Sequence, residues 1–426
     1  MKKLLLILTR KYPYAFGEPF LESEIAKHKD YQDRIIVLAQ DISAGEAPTR
    51  VIPDGIEACI TSTGKRKNLR ISDWLHMLGQ VLFPDSAVKE ERMQRKLSLS
   101  QKAFLGYFEA RTKRTLAESV KQLEKVDFNA YDKITIYSYW LFVNAAVAVG
   151  LRDYLRDERG YQGKIVVLSR AHRYDIYEDV NKLNYLPFRN KLLQDMDYIF
   201  PCSRNGADYL KNHYSVKGAE IQVAYLGSRD YGLSKEPDEV FHILSVSRVV
   251  KVKRLELLID ELSKIDTGGK KVLWTHIGAG VEGKPAYFES VKSYAQEKIK
   301  NISFEFLGFM QNTEVYEYYR NNAISVFVNV SASEGLPVSL MEASSFGIPV
   351  IATDVGGSAE MIDSERNGFL LQKDFPAGEL AQKLEIMLCS SAEETAERRK
   401  AARELWEKHY CAETNYDRFV EMVSEL

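Results

Sequence analysis

The chain has 426 residues, of which 45% are hydrophobic and 28% are charged, and its formal net charge is -2. This length exceeds a single hydrophobic core and predicts two domains, while the near-neutral charge argues against a nucleic-acid binder. The four cysteines lack metal-ligand spacing, which predicts free thiols in a reducing cytoplasm.

The chain begins with MKKLLLILTR, in which two lysines precede an apolar run. This run is too short for the core of a signal peptide, and no small-residue cleavage site follows it. The segment is therefore predicted to be the first strand of an α/β domain. No later stretch reaches the roughly twenty apolar residues that a membrane span needs.

In the first half of the chain, short apolar runs alternate with longer amphipathic stretches. The alternation predicts helices between parallel strands in a doubly wound sheet. The predicted strands are 4–8, 34–39, 134–137, 165–168, 198–201 and 221–224. The predicted helices are 20–27, 116–123, 141–152 and 205–212.

Residues 62–115 depart from this alternation, because they are strongly basic and apolar side chains are interleaved with the basic ones. Two interpretations stay open: an amphipathic element that contacts anionic lipid at a membrane surface, or a solvated helical insertion packed on the N-terminal domain. The basic residues are Lys65, Arg66, Lys67, Arg70, Lys89, Arg92, Arg95, Lys96, Lys102, Arg111, Lys113 and Arg114.

A polar stretch at 232–240 is predicted to link an N-terminal domain, 1–231, to a C-terminal domain, 241–405. The second half repeats the alternation, and its last segment, 406–426, is predicted to be helical. The predicted strands are 241–246, 272–277, 302–307 and 325–329. The predicted helices are 255–262, 287–299 and 313–321.

The stretch from 331 to 362 reads SASEGLPVSLMEASSFGIPVIATDVGGSAEMI. Glu334 precedes Pro337, which is favoured at the start of a helix, and the predicted helix 338–346 ends at Gly347. Unpaired amides at a helix start favour an anion such as phosphate, and Glu342 inside the helix can accept two sugar hydroxyls. The pattern predicts a nucleotide-sugar site, although an ordinary turn and helix is the alternative.

These residues resemble the E-x7-E region of the family 4 retaining glycosyltransferases. The resemblance rests on Glu334, Glu342 and the segments EGLP, GIPVIAT and GG. It implies an α/β GT-B fold, with two Rossmann-like doubly wound domains facing a central cleft and ligands at the carboxyl ends of the strands. It also implies that the final helix crosses back to the N-terminal domain, with 416–426 as the candidate segment.

The reaction that the resemblance implies is transfer of a sugar, with retention, from a UDP- or GDP-linked donor to a glycan or lipid-linked glycan. Such acceptors occur in bacterial surface polysaccharide synthesis, so the protein is expected in the cytoplasm or at its boundary, the inner face of the membrane. The resemblance further implies that Glu342 binds the ribose hydroxyls. Glu334 and the amides of Gly335 and Leu336 would hold the hydroxyls of the donor sugar.

A basic loop, SRVVKVK, follows the predicted strand 241–246. Arginine binds phosphate with two parallel bonds and lysine supplies a point charge, so Arg248 and Lys253 are predicted to stabilise the leaving diphosphate without a metal or other cofactor. The loop is similar to the family motif G-R-x-x-x-x-K-G. Ser247 and Arg254 stand in place of its two glycines, which leaves the path of the loop open.

Three further glycines follow predicted strands. The resemblance implies that Gly278, in HIGAG, lets the backbone approach the nucleotide and that the loop of Gly308 cups the base. It also implies that Gly17 offers its amide to the diphosphate. Ordinary turns at strand ends are the alternative for Gly278 and Gly308, since a lone G-x-G is a weak signal.

His172 follows the predicted strand 165–168 within the sequence SRAHRYD and looks like the family's active-site histidine, near the anomeric carbon of the donor sugar. A packed or surface histidine is the alternative. Asp175 is expected either to orient His172 or to bind acceptor, and the aromatic pair after strand 134–137 either to stack on acceptor or to pack beneath it. The acceptor-side candidates are Asp175, Arg170, Arg173, Tyr139 and Trp140.

Asp195 and Asp197 form a D-x-D, a pattern that binds divalent cations in other glycosyltransferases. Here it ends a predicted helix and precedes an apolar strand, so it is predicted to be structural and no metal is expected. Two other classes stay open: a GT-B sugar-nucleotide epimerase and a non-catalytic GT-B partner subunit. A dehydrogenase is disfavoured because no G-x-G-x-x-G follows the first strand.

Overall fold

The computed structural model of the chain describes residues 1–15, 17–62, 71–281, 283 and 285–426. These residues form two compact units, Met1–Ala224 with Tyr416–Leu426 and Tyr225–Asn415. The divisions at 224 and 416 differ from the predicted domain bounds at 231 and 406.

The N-terminal unit is built on a sheet of seven parallel strands in the order β3-β2-β1-β4-β5-β6-β7. The chain order reverses between β1 and β4, so the loops that leave these two strands run to opposite sides. The strands are β1 Lys3–Thr9, β2 Arg34–Ala39, β3 Ile56–Ile60, β4 Lys133–Ser138, β5 Lys164–Ala171, β6 Tyr198–Pro201 and β7 Glu220–Ile221.

Helices cover both faces of this sheet, as buried parallel strands require. The longest, α4, begins with a capping box in which Ser98 and Gln101 satisfy each other's backbone amides. The helices are α1 Pro19–Ile25, α2 Ile71–Leu82, α3 Ser86–Arg95, α4 Leu99–Gln122, α5 Val143–Asp157, α6 Arg173–Ile176, α7 Arg189–Asp195 and α8 Arg204–His213.

The C-terminal unit has a six-stranded parallel sheet in the order β10-β9-β8-β11-β12-β13, with the reversal between β8 and β11. The strands are β8 Val240–Val246, β9 Lys271–Ile277, β10 Ser303–Gly308, β11 Val326–Asn329, β12 Val350–Thr353 and β13 Gly368–Leu371. The helices are α9 Leu255–Leu262, α10 Pro285–Lys298, α11 Asn312–Asn321, α12 Val338–Ser345, α13 Glu379–Leu388 and α14 Ala392–His409.

The last helix, α15 Ala412–Glu425, places Phe419 and Val423 in the core of the N-terminal unit. No helix in the described ranges has both the length and the apolarity needed to cross a bilayer. All four cysteines lie in the described ranges, and none forms a disulfide.

The predicted fold class, α/β with two doubly wound Rossmann-like domains, is confirmed. Two strands, β3 and β13, were not predicted from the sequence, because each is a short strand at a sheet edge. The strand predicted at 221–224 is corrected to Glu220–Ile221, again at an edge where pairing is brief.

Part of the basic segment, with Lys65, Arg66, Lys67 and Arg70, lies outside the described residues. The rest forms α2, α3 and α4, whose basic side chains are mostly engaged within the fold. Ion pairs join Arg114 to Asp73, Arg111 to Asp41, Arg95 to Glu178 and Lys113 to Asp85. For the described part of the segment, these ion pairs support the interpretation as a helical insertion packed on the N-terminal unit.

A row of exposed apolar side chains nevertheless runs along α2. Trp74, Leu75, Leu78 and Leu82 recur at the spacing of one helical face, and Phe83 directly follows them. Their exposed fractions range from 53% for Leu78 to 82% for Phe83. Contiguous apolar surface of this kind is uncommon on globular proteins and is typical of interaction sites.

Candidate functional site

The centre of the candidate site is an ion pair at the switch point of the C-terminal sheet, where ligands bind in doubly wound folds. Lys253, in the loop after β8, donates to Glu334 Oε1, in the loop after β11, at 2.6 Å. Asn329 Nδ2 donates to the same oxygen at 3.2 Å. Both members of the ion pair are partly exposed, at 22% and 12%, so the pair faces solvent that a ligand can displace.

The backbone of the β8 loop is fixed by neighbouring strand ends. Ser247 N donates to Ile277 O at 3.0 Å, and Gly278 N donates to Gly308 O at 2.7 Å. A Cβ on Gly278 would lie 1.8 Å from Ser247 O, so only glycine fits this approach. The two predicted glycines, Gly278 and Gly308, thus lie at one edge of the sheet with the basic loop.

The path of this loop, left open by the sequence, is now defined. Arg254 has φ 50° and ψ 44°, the left-handed conformation that glycine favours. Arginine thus has a conformation that glycine favours, at the position where the motif G-R-x-x-x-x-K-G carries glycine. Arg248 lies at the start of the loop and is exposed.

The loop between β11 and α12 presents backbone amides beside Glu334. Gly335 and Leu336 are buried, and in the described part of the chain neither amide donates a backbone hydrogen bond. The loop is supported from behind by the glycine pair, since Gly357 N donates to Gly335 O at 2.6 Å. A Cβ on Gly356 would lie 2.1 Å from Glu334 O.

Glu342 lies on α12, eight positions after Glu334, and is half-buried. Tyr316 on α11 donates to Glu342 Oε1 at 2.8 Å, and the ring of Tyr231 stacks on Tyr316 with centroids 4.4 Å apart. Burial raises the pKa of Glu342 to about 7, against the opposing effect of the Tyr316 bond. The carboxyl group is thus poised to ionise when hydroxyl donors reach it.

The switch point of the N-terminal sheet, between β1 and β4, holds a second buried carboxylate that the sequence analysis missed. Glu18 has φ 51° and is 5% exposed. Its oxygens accept four hydrogen bonds of 2.7–2.9 Å, from the amides of Arg10, Lys11 and Tyr12 and from Trp140 Nε1.

Glu18 thereby fixes the loop after β1 that contains Gly17. A Cβ on Gly17 would only touch the side chain of Lys11, at 3.4 Å, so this position is not one that sterically demands glycine. The three amides lie six to eight residues before Glu18, a separation at which the sequence carries no specific signal for the contact.

His172 caps the start of α6, at the end of β5, and is half-buried. Its ring lies 5.0 Å from the Tyr139 ring and 4.8 Å from the Trp140 ring, and its Nε2 lies 3.1 Å from Tyr139 O. Burial, assisted by the charge of Arg170, lowers the pKa of His172 to about 3. The imidazole is therefore neutral and donates to the carbonyl.

Arg170 is corrected as an acceptor candidate, because it is fully buried. It donates to Glu24 Oε2 at 2.7 Å and to Ala224 O at 2.9 Å, and it lies 3.8 Å over the Phe419 ring. Tyr137 OH donates to the other Glu24 oxygen at 2.9 Å. This network binds α1 and α15 to the sheet.

For Asp175 and Tyr139, the structure favours one of the two alternatives that the sequence left open. Asp175 is buried and accepts from the amides of His172, at 2.6 Å, and Leu141, at 2.7 Å; burial raises its pKa to about 7. It therefore positions the backbone of His172 and does not reach an acceptor. Tyr139 is 1% exposed and belongs to the buried apolar cluster that includes Tyr12 and Tyr137. Trp140 and Arg173 are half-buried and keep accessible surface.

The D-x-D carboxylates take structural partners. Asp195 pairs with Lys191 at 2.6 Å, and Asp197 accepts from the amide of Val167 at 2.7 Å. Among the residues that the structure describes, no group of three or more acidic, histidine or cysteine side chains could hold a metal ion.

Several known proteins are similar to parts of this chain. Residues 233–405 match the family described as glycosyl transferases group 1. The chain is 26% identical to the putative colanic acid biosynthesis glycosyltransferase WcaL of Escherichia coli K12, over 59% of this chain and 61% of WcaL. It is 37% identical to the O-antigen biosynthesis glycosyltransferase WbnH of Escherichia coli, over 31% of this chain and 33% of WbnH.

The matches to these two curated relatives thus span about a third to three fifths of their length. Among solved structures, Anabaena HepE in complex with UDP covers 100% of both chains with a TM-score of 0.62 and 16% identity. At this identity the likeness concerns the fold, which is GT-B, with two Rossmann-like α/β domains in one chain.

Proposed function

We propose that the chain is a retaining, metal-independent glycosyltransferase that moves a sugar from a nucleotide diphosphate sugar to a glycan or a lipid-linked glycan. The observation that carries the proposal is the Lys253–Glu334 pair at the switch point of the C-terminal sheet. The pair lies inside the residues that match the group 1 family. A cation beside a carboxylate suits a donor that combines a diphosphate with sugar hydroxyls.

Each part of the donor has a proposed partner. Arg248 and Lys253 neutralise the charge that develops on the leaving diphosphate. Glu342 accepts hydrogen bonds from the ribose hydroxyls, and its raised pKa is supplied by burial. The hydroxyls of the transferred sugar are held by Glu334 and the amides of Gly335 and Leu336, with further backbone contacts to the donor at Gly17, Gly278 and Gly308.

Retention requires that the acceptor oxygen reach the anomeric carbon from the face that the diphosphate leaves. The bond between this carbon and the diphosphate oxygen breaks, and the acceptor oxygen forms the new bond. The acceptor proton moves to a diphosphate oxygen, so no covalent nucleophile is needed. His172, which is neutral, is the proposed active-site histidine, and Trp140 and Arg173 remain the acceptor-side candidates.

The substrate classes follow from the relatives. HepE was solved with UDP, so a UDP-linked donor is proposed ahead of a GDP-linked one. Relatives in colanic acid and O-antigen synthesis favour an acceptor of bacterial surface polysaccharide synthesis. We further propose that the protein acts at the inner face of the membrane and that the exposed face of α2 contacts lipid there.

The proposal is tested with a panel of nucleotide sugars. A specific donor raises the melting temperature of the purified protein by mass action, and the same donor is then incubated with acceptor oligosaccharides while NMR follows the anomeric configuration of the product. Transfer with retention supports the proposal. Donor conversion without acceptor identifies an epimerase, and no response to any nucleotide identifies a non-catalytic subunit; either result overturns it.

A further inference from the structure

Arg254 stands where the motif G-R-x-x-x-x-K-G carries glycine, and it keeps the left-handed backbone that glycine adopts most readily. A residue with a Cβ is destabilised in the left-handed conformation, so we expect contacts of the Arg254 side chain to offset this strain. Arg254 directly follows Lys253, the cation of the candidate site.

The benefit lies in the contacts of the guanidinium group. Arg254 Nε donates to Val330 O at 2.6 Å, and Nη2 donates to Ser331 O at 3.3 Å. These two carbonyls follow β11 and lead directly into the loop of Glu334, and both residues are buried. Buried carbonyls need donors, and a charged planar donor forms the stronger bonds.

The backbone makes a parallel connection between the same two loops. Ala332 N donates to Val252 O at 2.8 Å. From the end of β12, the side chain of Thr353 also donates to Ser331 O, at 2.7 Å. Arg254 Nη1 also lies 3.5 Å from the carboxylate of Asp374, and only 18% of the Arg254 side chain is exposed. The guanidinium group is therefore oriented toward the protein. A phosphate-binding role would need the opposite orientation.

We infer that Arg254 is a positioning residue: its guanidinium group clamps the loop after β11 to the loop after β8, so that Glu334 stays in register with Lys253. The inference rests on the proposed function, since it explains how the donor site is held in place. Glycine at this position would supply the backbone conformation without the clamp.

The decisive variant is therefore Arg254→Gly, which relieves the backbone and deletes only the side chain. We expect kcat to fall roughly tenfold to a hundredfold while KM for the donor changes less than about threefold, because the site is misaligned and not removed. Methylguanidine in the assay restores part of the lost kcat of Arg254→Gly and none of that of Lys253→Ala. A wild-type kcat in Arg254→Gly overturns the inference, as does a loss without rescue.

Hydrogen exchange separates this inference from the proposed function. Amides of residues 330–336 exchange at least about tenfold faster in Arg254→Gly, while those of β13 are unchanged. If the wild-type protein transfers no sugar from any donor, the proposed function fails, and exchange alone then decides the clamp. Equal protection of 330–336 in both proteins overturns the clamp whether or not the wild type is active.

Discussion

The Lys253 ammonium group lies 2.6 Å from the carboxylate of Glu334, and the two side chains come from different loops of one sheet. Both loops leave the sheet at the point where the strand order reverses. The cation is thus oriented by the fold before a donor binds. Preorganised charge of this kind stabilises a transition state without reorganisation during the reaction.

Lys253→Ala is expected to lower turnover by more than roughly tenfold while the protein stays folded, because the leaving diphosphate loses one of its two cations. Turnover with the identified donor and the melting temperature are both measured. Lys251→Ala is the matched control, since Lys251 lies in the same loop, is 79% exposed and pairs with Glu256. Near-normal turnover in Lys253→Ala would remove the assignment.

Glu342→Gln is expected to make stability less dependent on pH. Because the pKa of Glu342 is raised from 4.5 to about 7 in the folded protein, the unfolded chain releases this proton first, and the free energy of unfolding falls as pH rises through this range. The variant should therefore be more stable than the wild type at pH 8, with the difference closing toward pH 4.5. Thermal unfolding across this range measures it.

The same variant weakens donor binding, since an amide oxygen accepts less strongly than a carboxylate. Tyr316→Phe serves as its control: loss of the bond from Tyr316 shifts the pKa of Glu342 further upward. In Tyr316→Phe, the pH at which donor affinity reaches half its maximum should therefore rise together with the pKa of Glu342. An unchanged pH dependence in Tyr316→Phe contradicts this account.

Arg170→Ala is expected to destabilise the fold by about 3–5 kcal/mol, because it leaves Glu24 buried without its cation. Urea unfolding measures the change. Arg34→Ala removes a similar two-bond pair with Glu57 that is exposed and should cost at most about 1 kcal/mol. If Arg170→Ala has the same free energy of unfolding as the wild type and loses only acceptor affinity, Arg170 binds acceptor and the structural assignment is wrong.

His172 is expected to contribute no inflection near pH 6.5 to the pH–rate profile, since its pKa is lowered to about 3. The stability that its neutral form provides is complete above pH 6.5 and is lost as the pH falls toward 3. His172→Asn keeps a donor for Tyr139 O without this titration. Its melting temperature should therefore fall less than that of the wild type between pH 7 and 5; an equal fall would refute the assignment.

Replacing Leu75 and Leu78 together by serine is expected to reduce binding to vesicles at least roughly tenfold, because both leucines leave the exposed face of α2. Co-sedimentation is measured with anionic and with neutral vesicles. Met93→Ser is the control, as Met93 is 75% exposed but lies on α3. A wild-type protein that stays in solution with both vesicle types contradicts lipid contact.

Site residues could be predicted from the sequence where they directly follow a predicted strand. Lys253 and Glu334 each follow a strand, and because β8 and β11 are neighbours the two loops meet. Arg170 is misread because β5 continues to Ala171, three residues past its predicted end, so the arginine lies on a strand in the sheet and not in the loop. Tyr316 carries no local signal, since only tertiary packing brings α11 beside Glu342.

The N-terminal core includes Phe419 and Val423 from α15. During synthesis these residues leave the ribosome after every other part of that core has emerged. The nascent first unit must therefore wait, with an unfilled apolar groove, for nearly two hundred intervening residues (225–415) to be translated. Domains otherwise fold from the N-terminus as they appear, whereas this chain completes the core of its first unit last. During that interval the nascent chain exposes the apolar surface that a chaperone would bind.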